Sequence, residues 1–381
     1  MKNIEYLYNK NKGIVKIPHM KGVNVEYVSD TNILDFAEIK HLINFFSSWE
    51  QKFKNSKYIK YSIIYRKTLN FADKLSYILL ECFLYDQIVN RGKDIVLYIN
   101  NYKNLMITEG ILYSCLRYTN DIKKFEDKFN DEISMYHFRK IVTLDLRNKK
   151  PDTLCILMSN IHRFLQTCGI DKNQAKQAAE MSVEIVDNAL EHSNSDCLID
   201  IDVSQRPYYL DNNPEEYIGV NIVVLDFSDK LLGQEIKSSK MNNFSDFWQC
   251  LRLNIIKEKH EKFFNSNYNE NQFYMISAFQ NKITSRPEKL LTGGKGLTIL
   301  IKRLQESSFH DLCYVVSGDD CLFFKRQQIK QDDKDWVGFN NENSCELPPS
   351  NDALSKSPLH ILGTAYNLSF VFLKGEQNEK N

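Results

Sequence analysis

Proline and glycine are scarce in this chain, at 8 and 14 residues of 381. That scarcity excludes a collagen-like or low-complexity polymer. An excess of charge of one sign is also missing, because Lys plus Arg and Asp plus Glu number 49 each. No net field therefore draws the molecule to nucleic acid or to an anionic membrane, and neither partner is expected. The nine cysteines are scattered, odd in number and include no C-x-x-C pair. They read as buried, reduced thiols in a reducing compartment. No stretch approaches the ~18 consecutive apolar residues of a membrane helix, and residues 1–5 lack the basic start and apolar run of a secretory signal. The expectation is a cytoplasmic protein without a membrane span.

What is present is material for a core: 43% of residues are hydrophobic, with 23 Phe and 20 Tyr. The length exceeds the usual single-domain range of roughly 100–200 residues, so two domains are expected. Residues 1–130 read as a smaller α/β domain. Helical spacing of apolar residues covers 33–53, a Tyr- and Ile-rich strand 58–65, a second helix 71–89, a β-type run 94–99 and a further helix 108–117. The charged run 121–131 suits a solvated helix or a connection, and 131–150 is taken as the link between domains.

Residues 151–375 form the second expected domain, with a short tail at 376–381. Helices are expected at 154–167 and, after Asp171 as N-cap, at 173–192. Residues 198–203 alternate Leu-Ile-Asp-Ile-Asp-Val as a strand with one polar face, and 217–225 is an almost continuously apolar strand fit for the middle of a sheet. Helices at 244–260 and 271–279 lie within a long connection, and another follows a glycine-rich turn at 297–305. Two strands, 313–317 and 321–325, are expected to pair about Gly318-Asp319-Asp320. The polar, Pro-containing stretch 327–357 reads as an exposed insertion, and 365–373 as a closing strand.

Four segments carry chemistry. On the helix 173–192, Glu184, Asn188 and Glu191 share one face while Ala178, Ser182, Ile185 and Ala189 share another, since residues three and four apart are neighbours. Asp226 follows the buried strand directly. Thr292-Gly293-Gly294-Lys295-Gly296-Leu297-Thr298 exposes successive N–H groups ahead of a helix N-terminus, which favours anions such as phosphate. Arg286 and Lys289 precede it and offer positive charge. Gly363-Thr364 directly precedes the last strand.

In this order the segments resemble the ATP-binding domain of the gyrase, heat-shock chaperone, histidine kinase and MutL (GHKL) superfamily, and within it the histidine-kinase-like ATPases of stand-alone bacterial regulatory proteins. Glu184-Ile185-Val186-Asp187-Asn188-Ala189 is similar to its N-box, Asp226 to the acidic residue of its G1 box, Gly293, Gly294, Lys295, Gly296 and Leu297 to its G2 box, and Gly363-Thr364 to its late Gly-Thr pair. The resemblance implies a Bergerat-type two-layer α/β sandwich: a mixed sheet with helices on one face and a mobile lid near 234–291. It implies ATP and Mg²⁺ as cofactors. Asn188 would coordinate the metal, Asp187 would lie at the nucleotide, Asp226 would accept from the adenine amino group with Thr364 beside it, and Glu184 would orient or deprotonate the nucleophile. One departure is plain: Ser228 and Lys230 stand where the G1 box has glycines, whose conformational freedom they lack.

The expected activity is ATP hydrolysis whose nucleotide state switches a protein-partner surface on residues 1–130; a homodimer is kept among the expected assemblies. A carboxylate at 184 accepts a proton from water or from a serine hydroxyl, so an anti-sigma-type protein serine kinase is the alternative enzyme. A non-catalytic nucleotide-binding module is the third reading. Histidine autophosphorylation is disfavoured, because His41, His137 and His162 lack an acidic neighbour and His260-Glu261 lies inside the expected lid.

Overall fold

The computed structural model describes residues 4, 8, 24–52, 59–209, 214–239, 247–284, 296–309 and 312–375. The first part of the chain makes three passes of strand, each broken once. They are β1 (Asn24–Ser29) with β2 (Ile33–Leu34), β3 (Lys60–Tyr65) with β4 (Leu69–Phe71), and β5 (Asp94–Ile99) with β6 (Tyr102–Asn104). The crossovers are α1 (Phe36–Lys52) and α2 (Lys74–Tyr85), which runs on as a π-helical turn, Asp86–Asn90. All pairings here are parallel, in the orders β1-β3-β5 and β2-β4-β6, as strands joined through helices require. Where a helix was expected at 108–117, two 3₁₀ turns stand instead, Gly110–Tyr113 and Cys115–Tyr118. Ser114 separates them: its hydroxyl donates to Glu81 and accepts from Leu116 N–H, which draws its backbone out of the helical region. The charged run forms α3 (Ile122–Asn130), whose Phe125 and Phe129 are fully buried, with Phe129 stacked on Tyr85.

Residues 131–150, expected as a link, instead supply β7 (Asp131–Ile133) and β8 (His137–Val142), followed by α4 (Leu144–Lys149). Then come α5 (Thr153–Thr167), α6 (Lys172–Ser193), β9 (Cys197–Val203), β10 (Tyr208–Tyr209), β11 (Glu216–Asp226), α7 (Gln234–Ser238), α8 (Trp248–Glu261), α9 (Glu270–Ser277), α10 (Gly296–Ser307), β12 (Tyr314–Phe323) and β13 (Leu354–Leu373). Seven strands form one sheet in the order β12-β13-β11-β9-β8-β7, with β10 on β11. The α/β class holds, but the sheet, expected to be mixed, pairs antiparallel at every described junction. Between β8 and β9 the helical pair α5 and α6 runs out and back, so the chain re-enters the sheet at the end it left and the next strand runs opposite.

The expected turn at Gly318 is absent as well. β12 is a single strand paired with β13 along its length, with register shifts at Ser317/Gly318 and Gly318/Asp320 absorbed by Gly318 at φ +65°. The stretch 327–357 is not an exposed insertion: Ile329, Trp336, Val337, Phe339 and Ala353 are buried in the core. Polar side chains make that burial affordable by satisfying irregular backbone. Asn340 Nδ2 donates to the carbonyls of Gly338, Ser344, Leu347 and Pro348, and Gln280 both donates to and accepts from Val337. The described part of the expected lid is packed too, with Cys250, Leu253 and Ile256 of α8 and Phe273, Met275 and Ile276 of α9 in the same core.

Helices were expected on one face of the large sheet; both faces are covered. α5, α6, α8, α9 and α10 close one core over Ile199, Ile201, Val224, Tyr366 and Leu368. A second core joins α1, α2 and α3 to Leu198, Val223, Leu225, Phe227 and Ala365 on the opposite side. Alternation along a strand explains the division, because successive side chains of one strand enter different cores. The polar face of β9 is therefore fully buried. Asp200 and Asp202 meet Lys74, whose Nζ lies 2.5 Å from Asp200 Oδ1 and against Asp202 Oδ2. Arg139 binds Asp200 and Glu81, and Asn221 Nδ2 donates to Thr108 at 2.8 Å. Burial would raise the Asp200 carboxyl, yet Arg139, Lys74 and His137 together hold it well below the ordinary range.

Candidate functional site

α6 begins where Asp171 accepts from the N–H groups of Asn173 and Gln174 and ends at Asn194 in the left-handed region, φ +52°. Its buried stripe, Ala175, Ala178, Ser182, Ile185, Val186, fixes the rotation of the helix against the sheet. The flank of that stripe then presents Glu184, Ile185, Asn188 and Ala189 to a cavity of about 140 Å³, which Val224 and Asp226 of β11, Leu297 of α10 and Thr364 and Tyr366 of β13 also line. A dry space of roughly 150 Å³ accepts one benzene-sized group. The enclosed part is thus on the scale of an aromatic ring, with the remainder of any larger ligand lying toward the open side.

Asp226 is 4% exposed. Burial raises its carboxyl to about 7, against the opposing effect of hydrogen bonds from Ser228 and Thr364, each through backbone and side chain. Ser228 N and Oγ lie 3.2 and 2.9 Å from Asp226 Oδ1. Gly363 makes this approach possible. It sits at φ +86°, and a Cβ there would lie 2.0 Å from Asp226 Oδ1, so conformation and space both demand glycine.

The turn after β11 accommodates the missing glycines without strain. Neither Ser228 nor Lys230 has a positive φ. The Ser228 hydroxyl folds back between Asp226 and the backbone of Lys230, donating to Asp226 Oδ1 and accepting from Lys230 N–H at 3.2 Å. The position needing glycine comes later, at Gly233: φ is +82°, and a Cβ would lie 2.2 Å from Tyr274 O. Ser317, in the bulged strand, ties this turn to β13 by accepting from Leu232 N–H and donating to Gly363 O at 2.7 Å.

Of the residues singled out from sequence, Glu184, Asn188, Asp226, Leu297 and Thr364 meet at this cavity. Asp187 does not line it; its carboxylate pairs with Arg147 of α4 instead. It is three residues from Glu184 but on the flank away from Asn188, the side on which Arg147 lies. Gly293, Gly294 and Lys295, with Arg286 and Lys289, lie outside the described residues, and Gly296 opens α10. Tyr366 and Glu235 line the cavity without having been foreseen. Tyr366 was open to inference, since two residues along a strand from Thr364 means the same face. Glu235 belongs to no pattern.

Two other clusters are structural in character. His260 is 1% exposed, with Nδ1 2.6 Å from Tyr268 Oη and Nε2 3.0 Å from Cys345 O, and burial lowers its pKa. Both ring nitrogens are thus engaged by protein groups. His137, Asp200 and Asp202 lie close enough to hold a metal ion among the described residues. The Lys74 ammonium already lies against both carboxylates and Arg139 against Asp200, so the charge a cation would supply is present.

Among the described residues no helix is long and apolar enough to cross a membrane. No protein-family model, curated protein or solved structure matches the chain.

Proposed function

We propose that residues 151–375 form a histidine-kinase-like ATP-binding domain of the GHKL superfamily, that the cavity between α6, β11 and β13 takes ATP, and that the protein hydrolyses it. The observation that supports this is the convergence of Glu184, Asn188, Asp226, Leu297 and Thr364, from four separate elements, on one ring-sized cavity with a buried carboxylate in its wall. Asp226 accepts from the adenine amino group, with Thr364 and Ser228 fixing its oxygens. Mg²⁺ fits the donors at hand: the Asn188 side-chain oxygen is a ligand a hard cation accepts, and the ion supplies charge neutralisation for the phosphates. Glu184 accepts the proton of the attacking water as the water oxygen bonds to the γ-phosphorus and the bond to the ADP oxygen breaks.

The sheet gives this site a route to residues 1–130. On β13, Thr364 and Tyr366 face the cavity while Ala365 enters the opposite core and Asn367 Oδ1 accepts from Leu75 N–H at the start of α2. A shift of β13 on nucleotide binding is therefore felt at α2 directly. The far side of the parallel sheet leaves Val28 and Tyr98 exposed on β1 and β5, a surface for a protein partner or a second copy. The role is a regulatory one, in which nucleotide state is read by a partner.

Calorimetric titration with adenosine tests the recognition step, since adenosine carries no phosphate to titrate. A donating amine favours ionised Asp226, so below about pH 7 binding must expel a proton from it. Affinity is expected to fall about tenfold from pH 8 to pH 6, and Asp226→Asn to bind weakly with no such dependence. Equal affinity in parent and variant at both pH values would remove Asp226 from recognition.

A further inference from the structure

The departure at position 230 has chemical content. Among the described residues lining the cavity, Glu184, Asp226 and Glu235 are acidic and Lys230 is the basic one. With adenine at Asp226, the phosphates of a nucleotide would meet the carboxylates of Glu184 and Glu235 there, and like charges repel. We propose that Lys230 binds the phosphates of the nucleotide, and that Glu235 holds its ammonium at the cavity until they arrive. This rests on the nucleotide reading above and adds to it a residue that distinguishes phosphorylated from unphosphorylated ligands.

Three observations carry it. The N–H of Lys230 is held by the Ser228 hydroxyl, which itself donates to Asp226, so the main-chain donor there is committed and the side chain is what can reach a ligand. Its ammonium lies 2.6 Å from Glu235 Oε1, with the Lys side chain 42% and the Glu 33% exposed. A pair so exposed is screened and worth little, and exchanging Glu235 for a phosphate oxygen costs little. Glu235 is itself fixed, five residues on, by the short helix that Gly233 opens against Tyr274. Where a glycine would offer only its N–H, this turn offers a tethered cation next to the adenine-facing carboxylate.

The test compares adenosine, AMP, ADP and ATP, with Mg²⁺ at pH 8, by calorimetry on the full chain. For the parent, affinity rises as phosphates are added. Lys230→Met is expected to weaken ATP about ten- to hundredfold, the span of a charge-assisted hydrogen bond, while adenosine stays within about twofold. Lys230→Arg should retain the ATP preference, and Glu235→Gln should tighten ATP a few-fold by removing the competing carboxylate. The advantage Lys230 confers should shrink as salt is raised. Loss of adenosine and ATP in equal measure would mean that Lys230 only shapes the turn, and unchanged ATP affinity would mean that it does not meet the phosphates; either overturns the proposal. A parent that binds adenosine while either result holds leaves the nucleotide reading intact. A parent that binds none of the four ligands overturns both.

Discussion

Lys74→Met is expected to destabilise the protein by about 3–5 kcal/mol, the cost of breaking a buried ion pair by removing one partner. Lys74 is 1% exposed and lies against Asp200 and Asp202, both inaccessible to water, with the Tyr77 hydroxyl 3.1 Å from its ammonium. Arg139 serves Asp200 and Glu81, so Asp202 would lose its ammonium and keep Tyr77 and the His137 ring, whose Nε2 lies 3.8 Å from Oδ1. Methionine fills the space but leaves that carboxylate uncompensated. Adding Asp202→Leu should recover much of the loss, because an apolar pair in the same volume carries no charge to desolvate. The pH dependence has a definite sign. Asp200 has a folded pKa well below its unfolded value, so its contribution is present above about pH 4 and lost as pH falls through the folded pKa. The gap between the parent and Lys74→Met should therefore begin to narrow below about pH 4. Urea unfolding at about pH 8, where the full difference is expected, and at about pH 3, where it should have begun to narrow, reads both effects; a variant as stable as the parent at neutral pH would mean that the ionic cluster between β9 and α2 contributes nothing.

Glu184→Gln is expected to lower ATP turnover by about 10²–10⁴-fold, the usual contribution of a positioned general base. Glutamine keeps the length and helix preference of the side chain, so α6 and the cavity wall should persist and Mg-ATP affinity should hold within a few-fold. A phosphate-release assay reads turnover, and labelled γ-phosphate recovered on protein serine rather than in solution would move the reading from hydrolase to kinase. Undiminished hydrolysis in the variant would take Glu184 out of the chemistry. A parent that binds ATP without releasing or transferring phosphate would make the domain a binding module.

Helical periodicity made the C-terminal helices legible nearly to the residue, since α5 and α6 each bury one continuous stripe. β5 and β11 were legible for the same kind of reason, being dense in β-branched residues. Several short strands of the first part, β1, β2, β4 and β6, were not read, and β8 escaped because its inward residues are charged. β8 reads His-Phe-Arg-Lys-Ile-Val, and its Arg139 looks like a surface cation until Glu81 and Asp200 are brought beside it from 58 and 61 residues away. β9 shows the same masking, with two aspartates that a local reading turns outward. Burial of polar groups depends on partners remote in sequence, which no local pattern contains. The cavity was readable at Glu184, Asn188, Asp226 and Thr364 through the resemblance, and Gly233 was readable as a glycine standing slightly later in the turn, whereas the compensation at Ser228 was not, because it lies in a hydroxyl folded onto its own turn.

Hydrogen exchange with and without Mg-ATP tests most directly whether the cavity holds nucleotide. Protection should concentrate in three stretches, distant in sequence, that meet at the cavity: 184–189 on α6, 226–236 across the turn into α7, and 364–366 on β13. It should reach the first turn of α2 through Asn367, and Asp226→Asn should lose it throughout. ATP that binds while leaving those three stretches unprotected, or that fails to bind at concentrations saturating for any ATP-dependent enzyme, would contradict the assignment of this cavity to nucleotide.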